Sequence, residues 1–328
     1  MMDWTDRHCR YFLRGFSPDV LLYTEMLTAS AILRGDRDAL LEFRSEEHPV
    51  ALQLGGSDPN YLAHAARFGA EAGYDEINLN CGCPSDKVQA GTFGACLMNQ
   101  PRLVAEGVAA MIDEVDVPVT VKLRIGTVAG GRPDTEQRVQ GFTPAEYDAL
   151  CDFVAGIFAE GADAVVVHAR KAVLGGWSPK ENREIPPLRY DVVWRLKQDF
   201  PALPIIVNGG FRTAEQSVVA LEHCDGVMLG REAYHRPMIL AETMQAIARA
   251  RGEEPGSLPT VSALMERMAH YAEQEMRRGE RLSSITRHML GLLTHTPGAR
   301  EFRRLLSEGS RERDAGPELL RRAAALAA

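Results

Sequence analysis

EINLNCGCPSDKVQAGTFGACLM, residues Glu76–Met98, is the stretch on which the reading of the fold turns. It opens as a strand: Ile77, Leu79 and Cys81 alternate with Asn78 and Asn80, the period-two pattern of a strand with two differently occupied faces. Gly82 and Pro84 then break the strand and favour a turn. A polar loop hinged by Gly91, Gly94 and Ala95 leads on to Cys96. An asparagine at a strand end, with a cysteine on a glycine-flanked loop just beyond, is how an α/β barrel presents chemistry at the C-terminal face of its strands. Spacing alone leaves equal room for a βα loop with incidental cysteines.

Outward from this stretch, short apolar segments recur with helical patterns between them: Leu21–Thr24, Val50–Leu54, Val119–Leu123, Ala164–His168, Pro204–Asn208 and Gly226–Leu229. Amphipathic runs such as Asn60–Ala72 and Pro101–Glu114 separate them. Strands alternating with helices imply parallel pairing, hence an α/β fold of (β/α)8 TIM-barrel type. Seven strands are legible, and Met1-Met2 is expected as the remnant of an eighth. After Arg231 the pattern becomes wholly helical, over 238–250 and 260–278 and on to Leu326. The expected organisation is a catalytic barrel over residues 1–240, a linker over 241–255, and a helical module over 256–328. Two long insertions, Thr127–Thr143 and Lys171–Leu188, follow strands at the expected active face, where insertions usually bear on substrate.

A chain of 328 residues buries a sizeable core, and 45% hydrophobic with 25% charged residues is ordinary for a globular protein. No apolar run is long enough to span a bilayer, and MMDWTDRHCR lacks the apolar core of a signal peptide. The cysteines at 9, 81, 83, 96, 151 and 224 show neither zinc-ligand nor disulfide spacing, so no metal and a reducing cytoplasm are expected. A net charge of −8 argues against a uniformly basic nucleic-acid binder. Residues 256–328, however, carry 12 Arg, no Lys and 9 Asp plus Glu, leaving −11 on the other 255 residues. A basic end on an acidic body fits an RNA grip confined to one module.

NLNCGCPSDKV, then GTFGACLM, resembles the signature region of the tRNA-dihydrouridine synthases, flavoproteins that reduce uridine in tRNA. MMDWTDRHCRYFLR, VTVKLRIG, VVHAR, NGG and LGR are similar to that family in the same order, over roughly residues 1–305. The A-type subfamily, which modifies D-loop uridines 20 and 20a, is the most similar. In the family an apolar strand and a proline precede the Met pair. The expectation here is a start site upstream of Met1 or a shortened first strand.

Asn208-Gly209-Gly210 and Gly230-Arg231 follow the last two strands, where barrel enzymes bind phosphate on backbone N–H groups. Gln53 is suited to the edge of a flavin ring. Lys122 offers a cation where reduced flavin is negative, and His168 a hydrogen bond, with Arg170 two residues on. The resemblance implies that Met1, Met2, Gln53, Lys122, His168, Asn208, Gly209, Gly210, Gly230 and Arg231 contact FMN, with NADPH as reductant. A lysine at a barrel strand end also fits a Schiff-base lyase, and a lone histidine is more often scaffold than reactant.

Reduction of uracil needs a hydride at C6 and a proton at C5, and a thiol is still protonated at neutral pH where a carboxylic acid is not. Cys81, Cys83 and Cys96 compete; Cys96 sits on the glycine-flanked loop and matches the family's acid in GACLM. The base must leave the RNA stack to be reached. Asn80 is expected at the uracil, and Arg183, Arg300, Arg303 and Arg304 at phosphates, against the background that helical arginines mostly face solvent. Three further readings stand beside this one: an FMN reductase of a free pyrimidine or small enone, a lyase using Lys122, and a non-catalytic RNA binder.

Overall fold

Seven parallel strands form one sheet in the computed structural model, which describes residues 1–85, 91–294 and 296–327. Asp86–Ala90, within the quoted signature, lie outside the described residues, as do His295 and Ala328. In chain order the strands are β1 (Leu22–Thr28), β2 (Val50–Gly55), β3 (Glu76–Cys81), β4 (Val119–Arg124), β5 (Thr127–Ala129), β6 (Ala164–His168), β7 (Ala172–Leu174), β8 (Ile205–Asn208) and β9 (Gly226–Met228). The main sheet runs β1-β2-β3-β4-β6-β8-β9, every neighbouring pair parallel, as the α/β barrel reading requires. Helices cover the outer face, so VALQLG in β2 is buried along its whole length.

The helix Pro59–Ala72 shows how the sequence sets these elements. Asp58 caps its N-terminus by accepting from the N–H groups of Asn60 and Tyr61, and Pro59 opens the first turn. Gly73, at φ +97°, ends it in the left-handed conformation that glycine adopts without a Cβ penalty. Leu62, Ala65 and Ala66 face inward, and Gly69 is needed because a Cβ there would lie 2.5 Å from Leu52.

Met1-Met2 does not form the expected strand remnant. Residues 2–4 make a turn in which the N–H groups of Trp4 and Thr5 both donate to the Met1 carbonyl, at 3.0 Å each. This turn spans the two edges of the sheet: the Trp4 N–H donates to Glu25 of β1 at 3.1 Å, and its ring stacks on Tyr234, just beyond β9, at 4.4 Å. A polar side-chain contact and a ring stack therefore stand where a strand ladder was expected.

The two insertions meet each other. Their strands β5 and β7 pair in parallel as a separate two-stranded sheet, Thr127 against Ala172 and Ala129 against Leu174. Val128, Val139 and Val173 give it a small core of its own, flanked by Trp177.

The helical C-terminal region comprises Ile239–Ala250, Val261–Arg277, Leu282–Thr286, Ala299–Ser307 and Glu318–Ala324. Its core is continuous with that of the barrel. Tyr271 stacks on Tyr11 at 4.0 Å, and a Cβ on Gly15 would meet Leu264 at 2.7 Å. The Glu275 carboxylate is fully buried and receives Arg7, Arg44 and Arg278. His8, Glu275 and Glu280 bring ligand atoms within 4.8 Å of one another, but Arg7 bridges the two carboxylates and supplies the cation itself.

Burial alone would raise the Glu275 carboxyl, yet the bonds from Arg7 and Arg44 outweigh it and hold the group below the ordinary glutamate value. A depressed folded-state pKa contributes stability that is complete above the unfolded value, about 4.3, and is lost as pH falls through the folded one. Glu275→Ala is expected to cost about 2 kcal/mol at neutral pH, because the half-buried guanidinium groups of Arg7 and Arg44 each lose a carboxylate at the junction. Urea unfolding at neutral pH and again at low pH checks both parts. An equal cost at both would show that the carboxylate's charge is not what stabilises the junction.

Candidate active site

The C-terminal ends of the strands place the polar residues in neighbouring register. Gln53 of β2 pairs with Asn78 of β3, Asn80 with Lys122 of β4, Arg124 with His168 of β6, and His168 with Asn208 of β8. Gln53, Asn80, Lys122, His168 and Asn208 therefore share one mouth, as the sequence reading expects. Met1 joins them, its sulfur 3.8 Å from where a Cβ on Gly230 would stand. Met2 is exposed.

The mouth is strongly cationic. Arg124 is buried and donates to the carbonyls of Gly82, Lys171 and Asn182 at 3.0–3.1 Å, tying the turn after β3 to the second insertion. Burial lowers the Lys122 amine to about 8, and Arg124 lowers it further within that value. His168 is pushed well below its ordinary value, first by burial and then by Arg124, Lys122, Arg170 and Arg231, so its imidazole is neutral at physiological pH. Neither the Lys122 amine nor the His168 ring meets a partner among the described residues.

Charge without a counter-charge is what an anionic ligand would complete, and the backbone offers the same. Gly209 and Gly210 have φ of +117° and +78°, values that favour glycine, and no acceptor meets their N–H groups or that of Gly230 among the described residues. Substitution is blocked from within: a Cβ on Gly209 would lie 2.6 Å from His168, and one on Gly210 2.4 Å from Leu188. Arg231, beside Gly230, is held by Glu184 at 3.3 Å. Arg170 donates to the carbonyls of Glu184 and Pro186 while its buried Nε is left without a partner. These donors fit a phosphate and an electron-rich ring.

Cys96 lies in a short 3-10 helix, Gly94–Asn99, rather than in the open loop expected. Its thiol is half-buried and donates to the Phe93 carbonyl at 3.0 Å, and burial raises it above the ordinary thiol range. The Ala95 N–H donates to the Cys83 carbonyl at 2.9 Å, fastening the helix to the turn after β3. Cys81 is buried and inert, its thiol pushed far up by burial. Cys83 points toward Ser85, 3.7 Å away.

Asn80 does more internal work than expected. Its Oδ1 accepts from the N–H groups of Gly82 and Cys83 at 3.0 and 2.9 Å, and its Nδ2 donates to Gln53 at 2.7 Å. One amide hydrogen is left for a ligand. Arg183 stands exposed on the helix Glu181–Glu184, close enough to Arg124 to depress it. Arg300, Arg303 and Arg304 occupy the exposed face of Ala299–Ser307, whose other face buries Phe302 and Leu306. Among the described residues no hydrogen bond or ion pair joins these three to the mouth. Sequence reasoning missed the role of Arg124. The available signal was its position two residues after Lys122, on the same strand face, in VTVKLRIG.

The family model for dihydrouridine synthase (Dus) matches residues 1–328. A tRNA-dihydrouridine(20/20a) synthase of Xanthomonas axonopodis pv. citri is 50% identical over 323 residues, covering 98% of this chain and 91% of that one. Proteins of the same name from Shewanella oneidensis and Synechocystis sp. are each 51% identical, covering 98% of this chain and 90% and 91% of theirs.

The electrostatics of the mouth carry their own test. Lys122→Met removes one cationic neighbour of His168 and is expected to move the imidazole's titration upward while leaving it below the ordinary histidine value, because burial remains the larger cause. A pH titration of the His168 ring resonances measures this. An unchanged or lower value in the variant would contradict the arrangement.

Proposed function

The chain belongs to the dihydrouridine synthase family, and from that premise we propose that it reduces the C5=C6 bond of uridines 20 and 20a in the D-loop of tRNA. FMN is the cofactor in this reading and NADPH the reductant; bound FMN supplies the hydride that reaches uracil C6. Its phosphate is held by the N–H groups of Gly209, Gly210 and Gly230 with Arg231, and its ring by Gln53, Lys122, His168, Asn208, Met1 and Met2. The cationic mouth, in which Lys122 and His168 meet no hydrogen-bond or ion-pair partner among the described residues, supports this assignment more than any other feature.

Cys96 gives the proton to C5. A thiol raised by burial stays protonated at neutral pH, which suits a general acid and not a nucleophile. The remaining amide hydrogen of Asn80 meets the uracil's polar edge, and Lys122 stabilises the charge that develops as hydride arrives. The uridine reaches this mouth only after leaving the stack, and a positively charged rim at Arg183 favours the phosphates that flank it. The helical module at 256–328 grips the tRNA elsewhere, through Arg300, Arg303 and Arg304 on an exposed helix face. The compartment is the reducing cytoplasm, and no helix among the described residues is long and apolar enough to cross a membrane.

Cys96→Ala is expected to bind FMN, accept hydride from NADPH and bind tRNA as before, while reoxidation by tRNA slows by roughly 10²–10⁴-fold, the usual worth of a positioned acid. Anaerobic single-turnover mixing reads this directly. Wild-type reoxidation in the variant would remove Cys96 from the mechanism.

Because the helical region shares its core with the barrel, charge reversal tests the RNA grip better than deletion does. Arg300→Glu with Arg303→Glu should weaken tRNA binding and reduce the salt dependence of the logarithm of affinity by about two phosphate contacts, leaving FMN uptake intact. An unaltered affinity and salt slope would place the grip on another surface.

A further inference from the structure

Glu76, Asn78 and Asn80 occupy alternate positions of β3 and so share one face, turned to side chains of β2 and β4. An apolar face would pack the barrel interior without any hydrogen-bond debt. This face instead carries an unbroken chain of bonds from one end of the strand to the other.

Its direction is set at both ends. At the mouth, the backbone N–H groups of Gly82 and Cys83 can only donate, so the atom of Asn80 that faces them is the oxygen. The Asn80 amide nitrogen then donates to Gln53 Oε1 at 2.7 Å, and Gln53 Nε2 donates to Asn78 Oδ1 at 2.9 Å. Asn78 Nδ2 donates to the Thr120 hydroxyl at 2.7 Å, and that hydroxyl donates to Glu76 Oε1 at 2.6 Å. Tyr23 closes the far end, its hydroxyl donating to the same oxygen at 2.7 Å. Donors begin the chain and a twofold acceptor ends it, so no amide can reverse alone without creating two clashes of like groups.

We propose that Glu76, at the opposite end of β3 from the mouth, is a positioning residue that fixes the amide orientations of Gln53 and Asn80. The inference rests on the reading that these two amides meet the flavin ring and the uracil. Each presents one free N–H, and the chain decides that it is an N–H and not a carbonyl oxygen that stands there. Burial holds the Glu76 carboxyl above its ordinary value, and the hydrogen bonds from Thr120 and Tyr23 oppose that rise.

Three variants test this, each with FMN affinity read by quenching of its fluorescence and the absorption band read at saturating FMN. Glu76→Gln lets the terminal group donate as well as accept, and Thr120→Val removes the hydroxyl while keeping a β-branched side chain of similar size. Both are expected to bind FMN about tenfold more weakly and to shift the visible band of what is bound, whereas Thr120→Ser stays within about twofold of wild type in affinity. A loss caused only by disturbed packing would leave the band of the bound flavin in place. Wild-type affinity and band in both Glu76→Gln and Thr120→Val would overturn this inference and leave the flavin reading standing. Failure of the wild-type protein itself to take up FMN would overturn that reading, and this inference with it.

Discussion

A guanidinium taken out of water must find oxygens, and Arg124 finds them only on backbone. Its donors reach the carbonyls of Gly82, Lys171 and Asn182, one on the turn after β3 and two on the second insertion. No carboxylate pairs with it among the described residues, and burial together with Arg170 and Arg183 lowers it to about 9. One side chain thus closes the loops around the mouth and leaves a net positive charge inside it. The depressed Lys122 amine and the neutral His168 ring both follow from that charge added to their own burial.

This arrangement divides the work between halves of the mouth. On the β2–β3 side the groups are neutral amides, each committed to the next and finally to backbone or to Glu76. On the β4–β9 side they are cations, and backbone N–H groups that meet no acceptor among the described residues. A ligand with a polar ring edge and an anionic tail meets both. Cys96 lies on the short helix that the Ala95 N–H fastens to the turn held by Asn80 and Arg124, so the proposed acid is positioned through the same two residues that order the strand end.

Much of this was legible in the sequence. All seven strands of the main sheet begin within a residue or two of their apolar runs, since fully buried parallel strands read as continuous hydrophobic segments. β1 extends to Thr28, beyond the expected Thr24, because a register shift between Tyr23 and Met26 carries the strand past polar Glu25. Short β5 and β7 escaped notice because three residues carry no periodicity; they exist through pairing across more than 40 residues of chain. The turn at Met1–Thr5 depends on Glu25 and Tyr234, contacts that no local pattern encodes. The grouping of Gln53, Lys122, His168 and the glycine pairs was expected from strand-end positions together with the family resemblance, and the structure brings them to one mouth. What Asn80 and Asn78 do was not legible, since an asparagine on a strand face does not reveal whether its partner is a ligand or its neighbour.

The proposed work of this mouth is the reduction of particular uridines in a folded RNA. Unmodified tRNA transcript incubated with the protein, FMN and NADPH, then digested and mapped by mass spectrometry, tests it most directly. The fragments containing uridines 20 and 20a are expected to gain the mass of two hydrogens each, and omission of NADPH to abolish the gain beyond the enzyme's own reduced flavin. A transcript unchanged in mass, or a gain confined to uridines elsewhere in the molecule, would contradict it.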